Sequence, residues 1–511
     1  MRIATAGSAS TWGSSSPARL TASAIPFCAA GAIAVLIATH VEAPSVGLAV
    51  GIPVGLGVTT WMFFSERMER PLVVFLLYLG LLDGFLKLRT DSTAVTSVRD
   101  VLLYAILLGF IARSALQRRT LRLPPLSGWV FAFTLVVLAQ AANPSSVGIV
   151  HTLGALRPHL EFVPLFFVGY HMLQTPARLR TFFVIMLVIA TANGIVSAVQ
   201  LKLTPAQLSS WGPGYAYRIN NNGTGLNKVA GRVFFTSTGV QRTRPFGLGD
   251  DAGVGAAWGM LALGGALALV SLGTRARVGR ISLLLCIGPP LAIITGEGRS
   301  LVIGSVVALV AYVAFATTAR RLIPTLAALL LGLAALTGVI AFVSSVSGAG
   351  VFDRYATITP SKVASTTSAD RGGSFAAIPQ LLTQHPLGNG LGSTGPASGF
   401  AGGGNVGSNG ETEPGFVISE LGIPGLLVIY GFNLNLLFLG ATRIRRLEPE
   451  TRSLVAALLA GIVAVLVIGI STATTANAPE STYLWFAGGA LSYWLTSGGK
   501  SAPRGLAAVG S

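Results

Sequence analysis

The sequence predicts an all-α fold: a polytopic membrane helix bundle of about 12–14 transmembrane helices, with a large, partly helical loop on the outer face. Three observations predict it. Hydrophobic residues fill 52% of the 511 positions and charged residues only 10%, whereas a soluble domain carries about a quarter charged; mean hydropathy is +0.69. Apolar runs near the length that crosses a bilayer, roughly 17–25 residues, recur along the whole chain. Stretches such as LLLGLAALTGVIAFV lack the alternation of a barrel strand, and a bilayer admits only helices or closed barrels.

The elements follow in order. The segment MRIATAGSASTWGSSSPARL lies in an expected disordered cytoplasmic N-terminus, 1–24. No small-residue cleavage site follows it, so the run at 25–39 reads as a retained first span. Further spans are expected near 46–64, 71–87, 98–112, 126–142, 161–174 and 181–200, closing an N-terminal group at 25–200, with 147–160 a candidate re-entrant piece. An outer-face loop occupies 201–251, and spans near 252–272, 281–295, 300–317 and 322–344 form a central group at 252–344. A second outer-face loop, 345–413, contains RGGSFAAIPQLLTQHP, where Phe375, Ile378, Leu381 and Leu382 fall at helical spacing and Pro386 stops the run. Spans near 414–440, 453–471 and 481–497 and a cytoplasmic tail at 498–511 complete the chain.

Charge sets the expected orientation. Lys and Arg number 35 against 18 Asp and Glu, a net charge of +17. Alternate connections carry the excess: SERMER, RSALQRRTLR, TPARLR, TRARVGR, ARR and RIRRLEPETR. They fall on one side, which the positive-inside rule makes cytoplasmic. The expectation is a multi-pass protein of the plasma (inner) membrane, in contact with membrane lipids, with both termini inside and no nucleic-acid partner. Cys28 and Cys286 sit far apart in apolar runs, which suggests neither a disulfide framework nor a zinc site. The five histidines, His40, His151, His159, His171 and His385, show no ligand spacing, so no metal and no cofactor are expected. GNGLGSTG lacks the GK[ST] of a phosphate loop.

Four arginines break the charge rule, because they stand where outer-face loops meet spans: Arg157 in ALRPHLEF, Arg244 in RPFGLGDD, Arg299 in TGEGRSLVIG and Arg371 in SADRGGSF. Singly, each could be an interfacial side chain reaching headgroups. Together they suit an anion with several oxygens, since a guanidinium pairs bidentately with phosphate. The acids admit two readings as well: as pairs, Asp250 with Asp251 and Glu411 with Glu413, they could bind a divalent metal, and ordinarily they sit at helix N-termini. Asp250 and Asp251 fit a helix N-terminus, as does Glu413 with Pro414 as first helical residue. Glu411 and Glu413 are also candidates for acid–base work.

The ordered set RPFGLGDD, TGEGRSLVIG, Arg371 followed by QHPLGNGLG, and FVISELGIPGLLVIY, over about 240–430, resembles the O-antigen ligase/polymerase family, membrane enzymes that act on polyprenyl-diphosphate-linked glycans. ALRPHLEFVPLFFVGY is also similar in character. Many members carry a histidine about nine residues before the returning E-x-G; here that position is Glu411, with Glu413 two residues later.

The resemblance implies a glycosyltransferase, an O-antigen polymerase or ligase type of polysaccharide biosynthesis, acting on the outer face. Its donor would be a polyprenyl-diphosphate-linked glycan and its acceptor a hydroxyl of a glycan, lipid or protein, with other envelope polysaccharide assembly proteins as candidate partners. Arg299 and Arg244, then Arg371 and Arg157, would hold the diphosphate, and Glu413 or Glu411 would orient or deprotonate the acceptor. The alternative is a transporter of an anion or lipid-linked glycan, although no internal repeat is evident. A structural envelope subunit, in which lysine could replace these arginines, is a third.

Overall fold

The computed structural model describes residues 44–91, 93–116, 123–146, 148–220, 232–235, 239–273, 279–317, 360–395 and 412–497, with isolated positions 327, 331, 338, 342 and 355. The expected elements at 1–24, 25–39, most of 322–344 and 498–511, together with Glu411, lie outside the described residues. What is described is mostly helix. Among these residues, six helices are long and apolar enough to cross a membrane.

In chain order the helices are α1 (Pro44–Phe64), α2 (Glu69–Thr90), α3 (Thr93–Leu116), α4 (Ser127–Ala141), α5 (Ile149–Leu160), α6 (Leu165–Met172) and α7 (Pro176–Gln200). After them come the short α8 (Pro205–Ser209) and α9 (Pro213–Asn220) and a hairpin, β1 (Val233–Phe235) with β2 (Gln241–Thr243), paired antiparallel with Phe234 opposite Arg242. The rest are α10 (Val254–Leu272), α11 (Arg280–Thr295), α12 (Arg299–Ala316), α13 (Pro360–Gln384), α14 (Glu413–Arg443), α15 (Pro449–Ile468) and α16 (Ala478–Ser492).

Two sequence features shape the individual helices. Pro164 breaks the run expected as a span at 161–174, and only the eight residues of α6 are helical there. Eight residues rise about 12 Å, far short of a roughly 30 Å hydrocarbon layer. Within α2 the backbone widens into a π turn at Tyr78–Asp83. At the other end of the chain, α14 bends at Gly422, whose φ of 64° leaves the helical region just before Pro424.

Glycine lets the helices approach closely. A Cβ on Gly169 of α6 would stand 2.0 Å from the Phe486 carbonyl oxygen, and one on Gly489 of α16 would stand 1.9 Å from that of Phe166. Backbone meets backbone there, so neither side can yield by turning a side chain. Gly489→Ala should therefore cost about 1–3 kcal/mol as overpacking, read as a lower midpoint in denaturant titration. An unchanged midpoint would mean the two helices are not clamped at this crossing.

The two ends of the bundle differ. At one, Arg178 pairs with Glu69 (2.5 Å), Arg180 pairs with Glu450 (3.3 Å) and Arg113 donates to the Phe63 carbonyl. At the other, α8, α9 and the hairpin form a small cap whose apolar side buries Leu208, Tyr215, Ile219 and Phe246 against Leu88 of α2. The second loop contributes α13, which packs on α14 with Leu381 buried and Phe375, Ile378 and Leu382 half-buried, and ends at Gln384 before Pro386.

Candidate functional site

The stretch RPFGLGDD enters α10 as a tight loop laid on the bundle, and the reason is visible in the amides beneath it. Asn193 and Gln200, seven residues apart and so on one face of α7, are both fully buried. The Gln200 Oε1 accepts from the Phe246 and Gly247 N–H groups (2.8 Å each), and its Nε2 donates to the Gly247 carbonyl (2.9 Å). The Asn193 Oδ1 accepts from Leu248 N–H (2.9 Å), while its Nδ2 donates to Gly80 in the π turn (2.9 Å) and to Ile189 (3.0 Å). Gly247 has φ of 64°, and Gly84 of α2 lets the loop lie directly on it, since a Cβ there would stand 2.4 Å from the Asp250 nitrogen.

This loop brings Arg244 and Arg299 together. Arg244 is within electrostatic range of Asp251, Glu297, Arg232 and Arg299. Its own N–H donates to the Arg232 carbonyl (2.7 Å), and Arg232 forks onto Asp251, with Nε to Oδ1 at 2.5 Å and Nη2 to Oδ2. Arg218 of α9 approaches Asp251 at 3.9 Å. Glu297, between α11 and α12, is fully buried with φ of 51°, a left-handed conformation that costs a non-glycine residue energy. Four guanidiniums thus gather around Asp251 and Glu297, with Asp250 also within electrostatic range of Arg218. Burial makes Arg244 a weaker base than usual, and Arg232 and Arg299 add to that against the pull of Asp251 and Glu297. It stays protonated at neutral pH, as arginine does.

Beside this cluster runs a second, nearly balanced network. Lys87 bridges Asp83 (2.6 Å) and Asp250 (3.6 Å). Arg99 forks onto Glu161 (2.5 and 2.7 Å), reaches Asp83 (3.3 Å) and lies over the Phe162 ring (5.2 Å to its centre). Arg157 joins Asp100 (3.0 Å) and Glu161 (3.5 Å), and both of these acids lie in this network and not in the Arg244 cluster. Burial raises the Asp250 carboxyl, but Lys87, with Arg99 and Arg218 behind it, outweighs burial and holds it below the ordinary carboxylate range. The helix-capping reading of the aspartates fails: Gly253 occupies the N-cap of α10 without a side-chain bond, and both acids serve as counter-ions.

Glu413 begins α14. Its carboxylate accepts from the Thr475 hydroxyl (2.7 Å) and N–H (3.0 Å), and its own N–H donates to Gly469 (2.7 Å). The helix cap is Thr412, accepting from Gly415 N–H (3.1 Å), so Pro414 is the second helical residue and not the first. One turn on, Phe416 stacks on His159 (4.9 Å, 10° between planes), and His159 Nε2 meets Glu420 at 2.8 Å. Glu420 also accepts from Thr394 N–H (3.2 Å), tying down the loop after α13. That loop turns on Gly388, Gly390 and Gly392, all at positive φ, and is wedged among Glu420, Ser146 and His151. Arg371 stands in α13, with its side chain outside the described part.

Sequence reading did not single out Asp83, Lys87, Arg99 or Glu161 as members of a network, nor the His159–Glu420 pair, nor Asn193 and Gln200. The signal for the first four is a charge set within an apolar run, as in LLDGFLKL and LEFVPLFF; the amides carry no such signal. Among the described residues no group of three or more His, Cys, Asp and Glu is placed to hold a metal ion. No protein-family model and no curated protein matches this chain.

Proposed function

We propose that the chain is a multi-pass membrane glycosyltransferase that moves an oligo- or polysaccharide from a polyprenyl diphosphate to an acceptor hydroxyl at the outer face of the plasma membrane. The observation that carries this reading is the gathering of Arg244 and Arg299, with Arg232 and Arg218 beside them, where α10 and α12 begin. A diphosphate leaving group develops charge as the glycosidic bond breaks, and fixed guanidiniums aimed at it lower that barrier. The basic residues at the opposite end of the bundle support a cytoplasmic assignment for that end, and with it an outer-face assignment for the arginine cluster.

In this mechanism the acceptor oxygen attacks the anomeric carbon, the bond to the diphosphate oxygen breaks, and the configuration inverts in one displacement. The acceptor proton leaves to a carboxylate. Glu413, or Glu411, is assigned to orient or deprotonate that hydroxyl, and the two Thr475 bonds suit Glu413 to a fixed orienting role. Arg299 and Arg244 bind the diphosphate, with Arg371 assisting, while Arg157 belongs to the neighbouring ion-pair network; no metal is invoked, because the guanidiniums themselves neutralise the charge.

The test is turnover by purified protein in nanodiscs given a polyprenyl-diphosphate oligosaccharide and a hydroxyl acceptor. Release of polyprenyl diphosphate with an inverted glycosidic product is expected. Vesicles that move lipid-linked glycan or an anion across the bilayer without any bond exchange would replace this reading with transport.

A further inference from the structure

Two guanidiniums repel each other, and Arg244 and Arg299 stand close enough for their charges to interact. Something other than their own charge must aim Arg244 toward Arg299 before an anion arrives. Asp251 and Glu297 both attract it, but a carboxylate does not fix the backbone from which Arg244 projects.

We infer that Asn193 and Gln200 are positioning residues for the arginine cluster; the inference rests on the diphosphate reading of that cluster. Gln200 binds Gly247 through both its N–H and its C=O, which fixes the peptide planes two and three residues after Arg244. Asn193 fixes the next residue, Leu248, and joins it to Gly80 of α2. That carbonyl belongs to the π turn, the kind of helix irregularity that releases a backbone group for an outside partner. The far end of the loop is tied to the same helix by Lys87 and Asp250 (3.6 Å). Loop, α7 and α2 therefore behave as one rigid unit, with Arg244 at its edge. Buried amides in apolar helices are expensive unless every polar atom is used. Here Gln200 uses both ends of its amide on a single loop, and that loop carries the site's arginine and its acids.

The mimic for the test is inorganic pyrophosphate, titrated against the full-length protein in detergent. Wild type is expected to bind it, and Gln200→Met and Asn193→Leu should each weaken binding roughly tenfold or more, the scale of a lost buried hydrogen-bond set. Asn433→Leu removes an equally buried amide of α14 that touches no part of the loop, and should leave binding unchanged. In an Arg244→Ala background the Gln200 substitution should cost nothing more, because it acts through that arginine; a merely structural amide would give an additive loss. Should Gln200→Met fail to fold, Gln200→Glu carries the test, since it keeps the acceptor for both N–H groups and loses the donor to Gly247.

Wild-type affinity in either Gln200 variant, or an equal loss in Asn433→Leu, overturns the inference. A wild type that does not bind pyrophosphate while Arg299→Ala retains turnover would sink the diphosphate reading itself, which is a separate failure.

Discussion

Arg299→Ala should lower the rate of glycan transfer by about 10²–10³, the loss of about 2.7–4 kcal/mol that follows removal of one fixed donor from a developing oxyanion. The effect belongs in turnover, because the charge on the departing diphosphate grows only as the bond breaks. Arg299→Lys should recover little of it, since an ammonium cannot fork across two phosphate oxygens. Arg244→Ala should lose a similar factor, and the double variant should lose less than the product of the two, because both act on one group. Arg157 behaves differently: its partners are Asp100 and Glu161, so Arg157→Ala should show mainly in stability. Single-turnover release of polyprenyl diphosphate measures all five variants. Full activity in Arg299→Lys would point to a merely structural or headgroup-binding arginine and would end the catalytic assignment.

The contrast between these arginines also marks what a sequence can reveal. Arg244 and Arg299 are legible because a cation beside Gly-rich, apolar sequence has few structural reasons to be there. Their nearness is legible only as a guess, since 55 residues separate them and their meeting depends on α10 and α12 packing side by side. Asp250 and Asp251 illustrate the opposite error. Acids before a helix ordinarily cap it, but Gly253 at φ of 94° takes that place and the acids turn to Lys87 and Arg232. Lys87 lies more than 160 residues upstream, and no local pattern announces it. Most of the helices themselves were legible from apolar run length. The run at 161–174 was not, because its composition reads as a span while Pro164 breaks it and the helix there is confined to Leu165–Met172. Asn193 and Gln200 were invisible for a simpler reason. An isolated amide in an apolar helix looks the same whether it bonds its own backbone, as Asn433 does, or holds another segment in place.

Arg99→Met should be the most destabilising of the single changes, at about 3–5 kcal/mol, because it strands buried carboxylates. Its guanidinium is the common partner of Glu161 and Asp83, whose side chains are only 2% and 4% exposed. Lys87 still holds Asp83 and Arg157 still reaches Glu161 at 3.5 Å, but neither replaces the two short bonds of the fork. Removing the acid along with the base should therefore help: Arg99→Met with Glu161→Leu is expected to be more stable than Arg99→Met alone, since no unpaired charge remains at that position. The consequence reaches the site, because Asp83 orients Lys87 and Lys87 holds Asp250, an acid of the arginine-bearing loop. Arg99→Met should accordingly loosen pyrophosphate binding as well as the fold, and the double variant should restore stability more fully than binding. Denaturant midpoints and pyrophosphate titrations on the same preparations separate the two effects. If the double variant is no more stable than the single, the network contributes by shape and packing around Phe162, and the charges in it are not what anchors the loop.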